Sequence, residues 1–324
     1  TITFTFILIL NAAFHYPKDT HFLWFVLIVE VVVGVPGSIL ALWIFCFRMK
    51  CWKTHIIFLF NLLMADFLLL IGVPFRIHNH WGEENWVFGQ AFCRINLFML
   101  TVNRSASIAF MTVVAVNRYF KVVRPHHCIS TMTSTQAVWV SGLMWTAVIA
   151  VHVPLLTTDL LHQHNNISLC RSFSSYDEPP WQIKMHYAAF IAEFVLPWFL
   201  LLFCTAQIIC HLRRRRMVQP KKVVRAIRAV VVIVLVFTFC FMPSVITGLT
   251  AMYIKKFYPA NCALYSQCTR LFVICIGFTY FNSALDPVIY SFSSSMFLNV
   301  LKSSIRFKKN VRLDGPRLKY KSNK

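Results

Sequence analysis

Two arginines stand inside one apolar stretch, residues 90–123, that opens on Cys93: Arg104 near its middle and Arg118, within Asn117-Arg118-Tyr119, near its end. A guanidinium in a hydrophobic run is costly enough to need a reason. On a helix rising about 1.5 Å per residue, Arg104 falls roughly 16 Å below Cys93 and Arg118 roughly 21 Å deeper, nearly four turns on, so both share one face. The group is permanently charged, and its planar fork matches a carboxylate bidentately. One helix with a charge at mid-depth and another at its far end could connect events on two sides of a membrane, which is the outline of a receptor. The competing reading is internal pairing of Arg104 with Glu193, Glu30 or Asp66.

Those carboxyls belong to a second set. Glu30, Asp66, Glu193 and Asp286 all lie in apolar segments, where an ionisable group is a candidate functional site or else a structural hydrogen-bonding group. The structural reading is preferred for Glu30 and Glu193. Asn61, Asp66, Ser107, Asn282 and Asp286 could instead converge as an oxygen-rich cluster that suits a hard cation such as sodium or encloses water alone.

The elements that must position these residues are legible in the composition. With 58% hydrophobic and 13% charged residues and a mean hydropathy of +0.62, the chain departs from the soluble average of about 25% charged. Seven apolar spans of membrane-crossing length are predicted at 22–47, 56–77, 92–120, 137–157, 186–212, 228–254 and 271–291. The connections are too short for a soluble domain, so the chemistry belongs to the bundle, its loops and its tails. If the first span runs inward, the cytoplasmic segments hold Arg48, Lys50, Lys53, Arg118, Lys121, Arg124, Arg213 to Arg216, Lys221, Lys222, Arg225, Arg228 and the tail, 23 of the 32 basic residues, beside the single acid Asp314. The net charge of +21 is then mostly topology, as the positive-inside rule requires. Nucleic acid is not an expected partner, because the basic runs flank membrane spans and lack interleaved aromatics.

Transport and catalysis find little support. No inverted repeat or pair of broken spans marks a transporter. The twelve histidines are scattered, with no metal-ligand spacing and no nucleophile–base pair, so no catalytic or metal-ligating residues are assigned. Residues 1–20 are read as an extracellular N-terminal segment whose start is incomplete or misjoined: Thr1 to Leu10 look like a signal-peptide core without its basic leader or Met. Residues 21–305 form the membrane domain and 306–324 a basic cytoplasmic tail. The sequon Asn166-Ile167-Ser168 is a glycosylation candidate on the outer side.

Taken together, the motifs resemble those of class A (rhodopsin-like) G-protein-coupled receptors: Asn61 to Asp66, Cys93, Asn117-Arg118-Tyr119, Trp145, Pro197, Phe237-x-x-Cys240-Phe241-Met242-Pro243 and Asn282-x-x-x-Asp286-Pro287-x-x-Tyr290. The resemblance covers about residues 22–305 and implies an all-α seven-transmembrane bundle with a short amphipathic eighth helix. It further implies a plasma-membrane receptor with an extracellular N-terminus, partnered by a heterotrimeric G protein, arrestin and membrane lipids. Asn117, Arg118, Tyr119, Phe241, Pro243, Asp286, Pro287 and Tyr290 take the switch positions. Asp66, Ser107, Asn282 and Asp286 take the positions of an allosteric sodium ion; no other cofactor is implied. Ser38 replaces the usual Asn of span one, which weakens that cation site. Asn117 replaces the acid usually beside the arginine, and Phe241 replaces a Trp. A neutral neighbour holds Arg118 less firmly than an acid would, so raised basal activity is expected.

Within that family, Asn103-Arg104-Ser105-Ala106-Ser107 and Phe278 to Asp286 are similar to the group containing the hydroxycarboxylic acid receptors and the oxoeicosanoid receptor. Asn117, Gly248, and Cys262 with Cys268 favour the oxoeicosanoid side; the hydroxycarboxylic acid receptors typically carry a second ligand-facing Arg where Gly248 stands. Both relatives take monocarboxylic acids and couple to Gi. The resemblance therefore implies a carboxylate anchored on Arg104, with Tyr280 as second donor, Arg171 and Ser172 capping the pocket, and His186 and Arg270 as further candidates that could equally be rim residues. A 5-oxo eicosanoid-type fatty acid is the favoured ligand and a short hydroxycarboxylic acid the alternative. A Cys93–Cys170 bridge is expected, and a small Cys262–Cys268 ring is the second candidate.

Overall fold

In the computed structural model, the described residues are 19–49, 52–81, 85–164, 167–170, 180–215, 221–294, 297–301 and 303. Seven long helices follow one another: α1 (Asp19–Trp43), continued by a π-helical turn Ile44–Arg48, α2 (Thr54–Trp81), α3 (Gly89–Val123), α4 (Ser134–His152), α5 (Trp181–Arg215), α6 (Lys221–Phe257) and α7 (Cys262–Ser293). All seven contain a stretch long and apolar enough to cross a membrane. This is an all-α membrane protein of seven spans, as expected. The helices overrun several predicted spans because a helix does not stop where the lipid does: the apolar signal marks the hydrocarbon, and polar turns continue beyond it. Residues 297–301 are helical again, anchored by Phe297, which is buried against Phe45 and Tyr290.

α3 is the axis of the bundle. It runs 35 residues without a proline, about 52 Å at the usual rise, and packs against α2, α4, α5 and α6. α6 lies along α7, and α1 against α7 and α2. Between lipid-immersed helices the attraction is packing and polar contact rather than the hydrophobic effect, so small residues permit close approach. At Gly37 an added Cβ would meet the Pro287 ring at 3.0 Å, which is how α1 and α7 come together. α4 is peripheral, with only Ala137, Ser141 and His152 fully buried along it, and starts on a capping box between Thr133 and Gln136.

The loop between α4 and α5 forms a hairpin that the sequence reading did not foresee: β1 (Leu161–His164) pairs antiparallel with β2 (Ile167–Cys170). The Cys93–Cys170 disulfide, with Cα atoms 5.7 Å apart, ties β2 to the top of α3. Trp86 donates its backbone N–H to the Ser168 carbonyl at 2.8 Å. The second expected ring does not form. Cys262 and Cys268 are free thiols within the first turns of α7, where six residues of helix separate their Cα atoms by about 9 Å along the axis, beyond disulfide reach.

Candidate functional site

Arg104 sits at mid-height on α3, buried, between rings from two other helices. Its guanidinium carbon lies 3.9 Å from the Phe190 ring centroid on α5 and 5.9 Å from that of Phe241 on α6. Nη1 reaches Glu193 Oε2 at 3.4 Å, and Nη2 donates to the Phe190 carbonyl at 3.1 Å. The Glu193 contact is the internal pairing weighed against a ligand role. It is long for an ionic hydrogen bond, and Arg104 Nε has no hydrogen-bond partner among the described residues. A guanidinium can donate five hydrogen bonds; this one is incompletely used.

Glu193 is shared. Ser105 Oγ donates to its Oε2 at 2.5 Å, and His152 Nε2 stands 3.2 Å from Oε1 and 2.7 Å from Ser105 Oγ. Three helices thus meet in one polar knot: α3 gives Arg104 and Ser105, α4 gives His152, and α5 gives Glu193. His186 on α5 is buried beside it, its ring 6.1 Å from that of His152. The sequence reading assigned Glu193 a structural role and did not select Ser105 or His152. The available signal for His152 was a lone imidazole closing the otherwise apolar fourth span.

Above the knot, Tyr280 on α7 packs with Leu27, Leu69, Val73 and Leu100. Its hydroxyl is within electrostatic range of Arg104 and of a second guanidinium, Arg76. Arg76 went unselected in the sequence although it stands near the end of an apolar span. It donates to the Cys170 carbonyl at 3.1 Å and faces the Trp86 ring at 6.0 Å, beneath the hairpin. Arg171, Ser172 and Asn166 lie outside the described residues. Arg270 is exposed near the start of α7.

Seven helices, a disulfide from α3 to the hairpin and a charged residue at mid-height of α3 now stand together, and comparison agrees with them. The profile described as "7 transmembrane receptor (rhodopsin family)" matches residues 37–290. The chain belongs to the rhodopsin-like family of seven-transmembrane receptors. It is 44% identical to hydroxycarboxylic acid receptor 2 of Rattus norvegicus, over 86% of this chain and 77% of that one. It is 43% identical to hydroxycarboxylic acid receptor 3 of Homo sapiens, over 86% and 72%, and 39% identical to oxoeicosanoid receptor 1 of Homo sapiens, over 85% and 70%. The group resemblance therefore holds, but the preference for its oxoeicosanoid member gains no support from identity.

Deeper in the receptor, Asp66 and Asp286 are fully buried, and neither Asp286 oxygen has a hydrogen-bond partner among the described residues. Tyr290 donates to Asp66 Oδ2 at 3.0 Å. Asp66 Oδ1, Ser107 Oγ and both amide atoms of Asn282 are buried without hydrogen-bond partners among the described residues. Two carboxylates with hydroxyl and amide oxygens fit the preference of a hard cation. Asn61 does not join them, contrary to expectation. Its carbonyl accepts from Trp145 Nε1 at 2.9 Å and its amide donates to the Ile57 carbonyl, which turns it toward α4.

Near the C-terminal end of α3, Arg118 donates to the Ser293 carbonyl of α7. The neighbouring Asn117 is buried with neither amide atom hydrogen-bonded among the described residues, so no side-chain clasp from Asn117 holds Arg118. Tyr119 packs on Phe120 and Phe203. Phe241 is buried, 5.3 Å from Phe237, which stacks on Phe194 of α5. Two residues beyond Phe241, toward the Phe257 end of α6, stands Pro243, where the helix lacks a backbone N–H; α7 likewise carries Pro287 inside it.

Proposed function

We propose that this protein is a plasma-membrane receptor for a monocarboxylic acid, whose carboxylate binds Arg104 and whose signal passes to a heterotrimeric G protein of the Gi class. The observation that carries the reading is the state of Arg104: a buried permanent cation with one long acidic contact and unused donors. A ligand carboxylate offers two short, charge-assisted bonds in place of one long one. Tyr280 supplies a further donor from α7, and Arg76 a second positive charge under the hairpin.

Activation follows as a population shift driven by the ligand's differential affinity for two bundle packings. Drawing Arg104 away from Glu193 alters its stacking on Phe190 and Phe241, hence the contact between α5 and α6. Pro243 cannot bond the Phe239 carbonyl, which makes α6 bendable at that contact. Outward movement of the inner end of α6 then frees the surface around Arg118, with Ile129 and the basic residues 213–228 as the docking region. The N-terminus is proposed to face outward, with Asn166 glycosylated and Asp66, Ser107, Asn282 and Asp286 as a weak sodium site.

A short hydroxycarboxylic acid is the ligand class better supported, by the two hydroxycarboxylic acid receptors at 43–44% identity and by the second guanidinium of Arg76. The longer 5-oxo eicosanoid-type acid is favoured by a different observation. Where a ligand-facing Arg would stand, a Cβ on Gly248 would meet the buried Phe272 ring at 3.0 Å, so an aromatic fills that space. Suppression of cyclic AMP by lactate, butyrate, nicotinate and a 5-oxo polyunsaturated fatty acid, measured side by side, separates the classes. A response to none of the four, with receptor at the surface, would contradict the carboxylate reading.

A further inference from the structure

Resting on the carboxylate reading, we infer that ligand binding is linked to uptake of one proton by the Ser105–His152–Glu193 cluster, so that the receptor binds its acid more tightly as the surroundings acidify. The argument begins from charge count. Without ligand, the Arg104 cation and the Glu193 anion balance each other across 3.4 Å. A ligand carboxylate on Arg104 adds a second anion to the same buried space, and two carboxylates then compete for one guanidinium. Like charges that close in a low dielectric do not both persist when a proton is within reach.

His152 is placed to take part. The Ser105 hydroxyl directs its proton to Glu193 Oε2, so its lone pair is left to accept from His152 Nε2–H at 2.7 Å. That donor pattern puts the neutral ring's proton on Nε2. Nδ1 keeps a lone pair, buried and without a hydrogen-bond partner among the described residues. A proton from bulk water can settle there, giving an imidazolium against Glu193 Oε1 at 3.2 Å, or on Glu193 itself. Either placement neutralises the carboxylate that the ligand displaces from Arg104.

The other charged and titratable groups facing the cluster are Arg104 from α3, His186 from α5 and, through Arg104, Tyr280 from α7. Arg104 opposes a proton on His152 while it is unliganded, and a bound carboxylate cancels that opposition. His152, Ser105 and Arg104 each reach a Glu193 carboxylate oxygen directly, and His186 faces the same carboxylate electrostatically.

Nucleotide exchange on added Gi heterotrimer by the full-length receptor in membranes, titrated with lactate, butyrate, nicotinate and a 5-oxo fatty acid between about pH 6 and about pH 8, tests this. Each acid stays ionised throughout, since carboxyl groups titrate near pH 4. The half-maximal concentration of the responding acid should fall by up to about tenfold per unit of acidification within the cluster's range. Glu193→Gln should give a flat profile, with potency at the alkaline end equal to or above wild type. His152→Gln should lose most of the slope, and it carries the test if Glu193→Gln fails to reach the surface. A flat wild-type profile for an acid whose potency needs Arg104 overturns the proton linkage and leaves the carboxylate reading intact. An unchanged slope in Glu193→Gln overturns the assignment to this cluster. A response that survives Arg104→Ala, or no response to any acid, overturns the carboxylate reading and the linkage with it.

Discussion

Arg104 and Arg118 share one helix and nearly one face, yet the protein holds them in opposite ways. The upper guanidinium meets a carboxylate, a carbonyl and two aromatic rings contributed by α5 and α6. The lower one meets the backbone carbonyl of Ser293 beside a neutral Asn117. A cation that already leans on an anion can be exchanged to a better anion, so the upper site is suited to recognition. A cation whose neighbour in sequence is a neutral amide rather than an acid is clasped less firmly by that neighbour, so the lower site is suited to switching.

The contrast is broken most severely by Arg104→Ala. Two charge-assisted hydrogen bonds are worth roughly 3 kcal/mol or more, so the potency of the responding acid in a cyclic AMP assay should fall by about 100-fold or more at unchanged surface expression. Tyr280→Phe removes one neutral donor and leaves the ring packed among Leu27, Leu69, Val73 and Leu100. About 1 kcal/mol corresponds to a loss of roughly fivefold in potency, with maximal response retained.

Both arginines were legible in the sequence because charge inside an apolar run is its own signal, and the seven spans followed from hydropathy alone. The partners of Arg104 were legible only as alternatives: Glu193 stood beside Glu30 and Asp66 as a candidate acid, and nothing chose among them. Glu193 is 89 positions away along the chain, and whether it faces α3 depends on the rotation of α5, which apolar sequence all round the helix leaves undetermined. His152 was invisible for a similar reason: a single imidazole in α4 has no periodic companion. Asn61 was assigned to the Asp66 cluster on helical proximity, but the indole of Trp145 offered a closer donor. The hairpin under which Arg76 lies was signalled only by Asn165-Asn166 between two four-residue runs, a weak cue beside the surrounding apolar pattern.

The lower half of the comparison is sharpened by Asn117→Asp. A carboxylate at position 117 would add an ionic clasp on Arg118 that the Asn117 amide does not supply, worth about 1 kcal/mol at a partly buried pair, so basal nucleotide exchange should drop severalfold. Basal signalling equal to or above wild type would contradict the neutral-neighbour argument. Gly248→Arg tests the smallest effect. Its Cβ would press on the Phe272 ring, which must turn aside, and the new guanidinium should improve the potency of short acids relative to the 5-oxo fatty acid by a few fold. An unchanged ratio would show that this corner of α6 does not face the ligand.

The most direct measurement is a structure of the receptor bound to its responding acid and a G protein. The account predicts the ligand carboxylate within hydrogen-bond distance of the Arg104 guanidinium, with Glu193 drawn back onto His152 and Ser105. A carboxylate lodged elsewhere, with the Arg104–Glu193 contact unbroken, would contradict it.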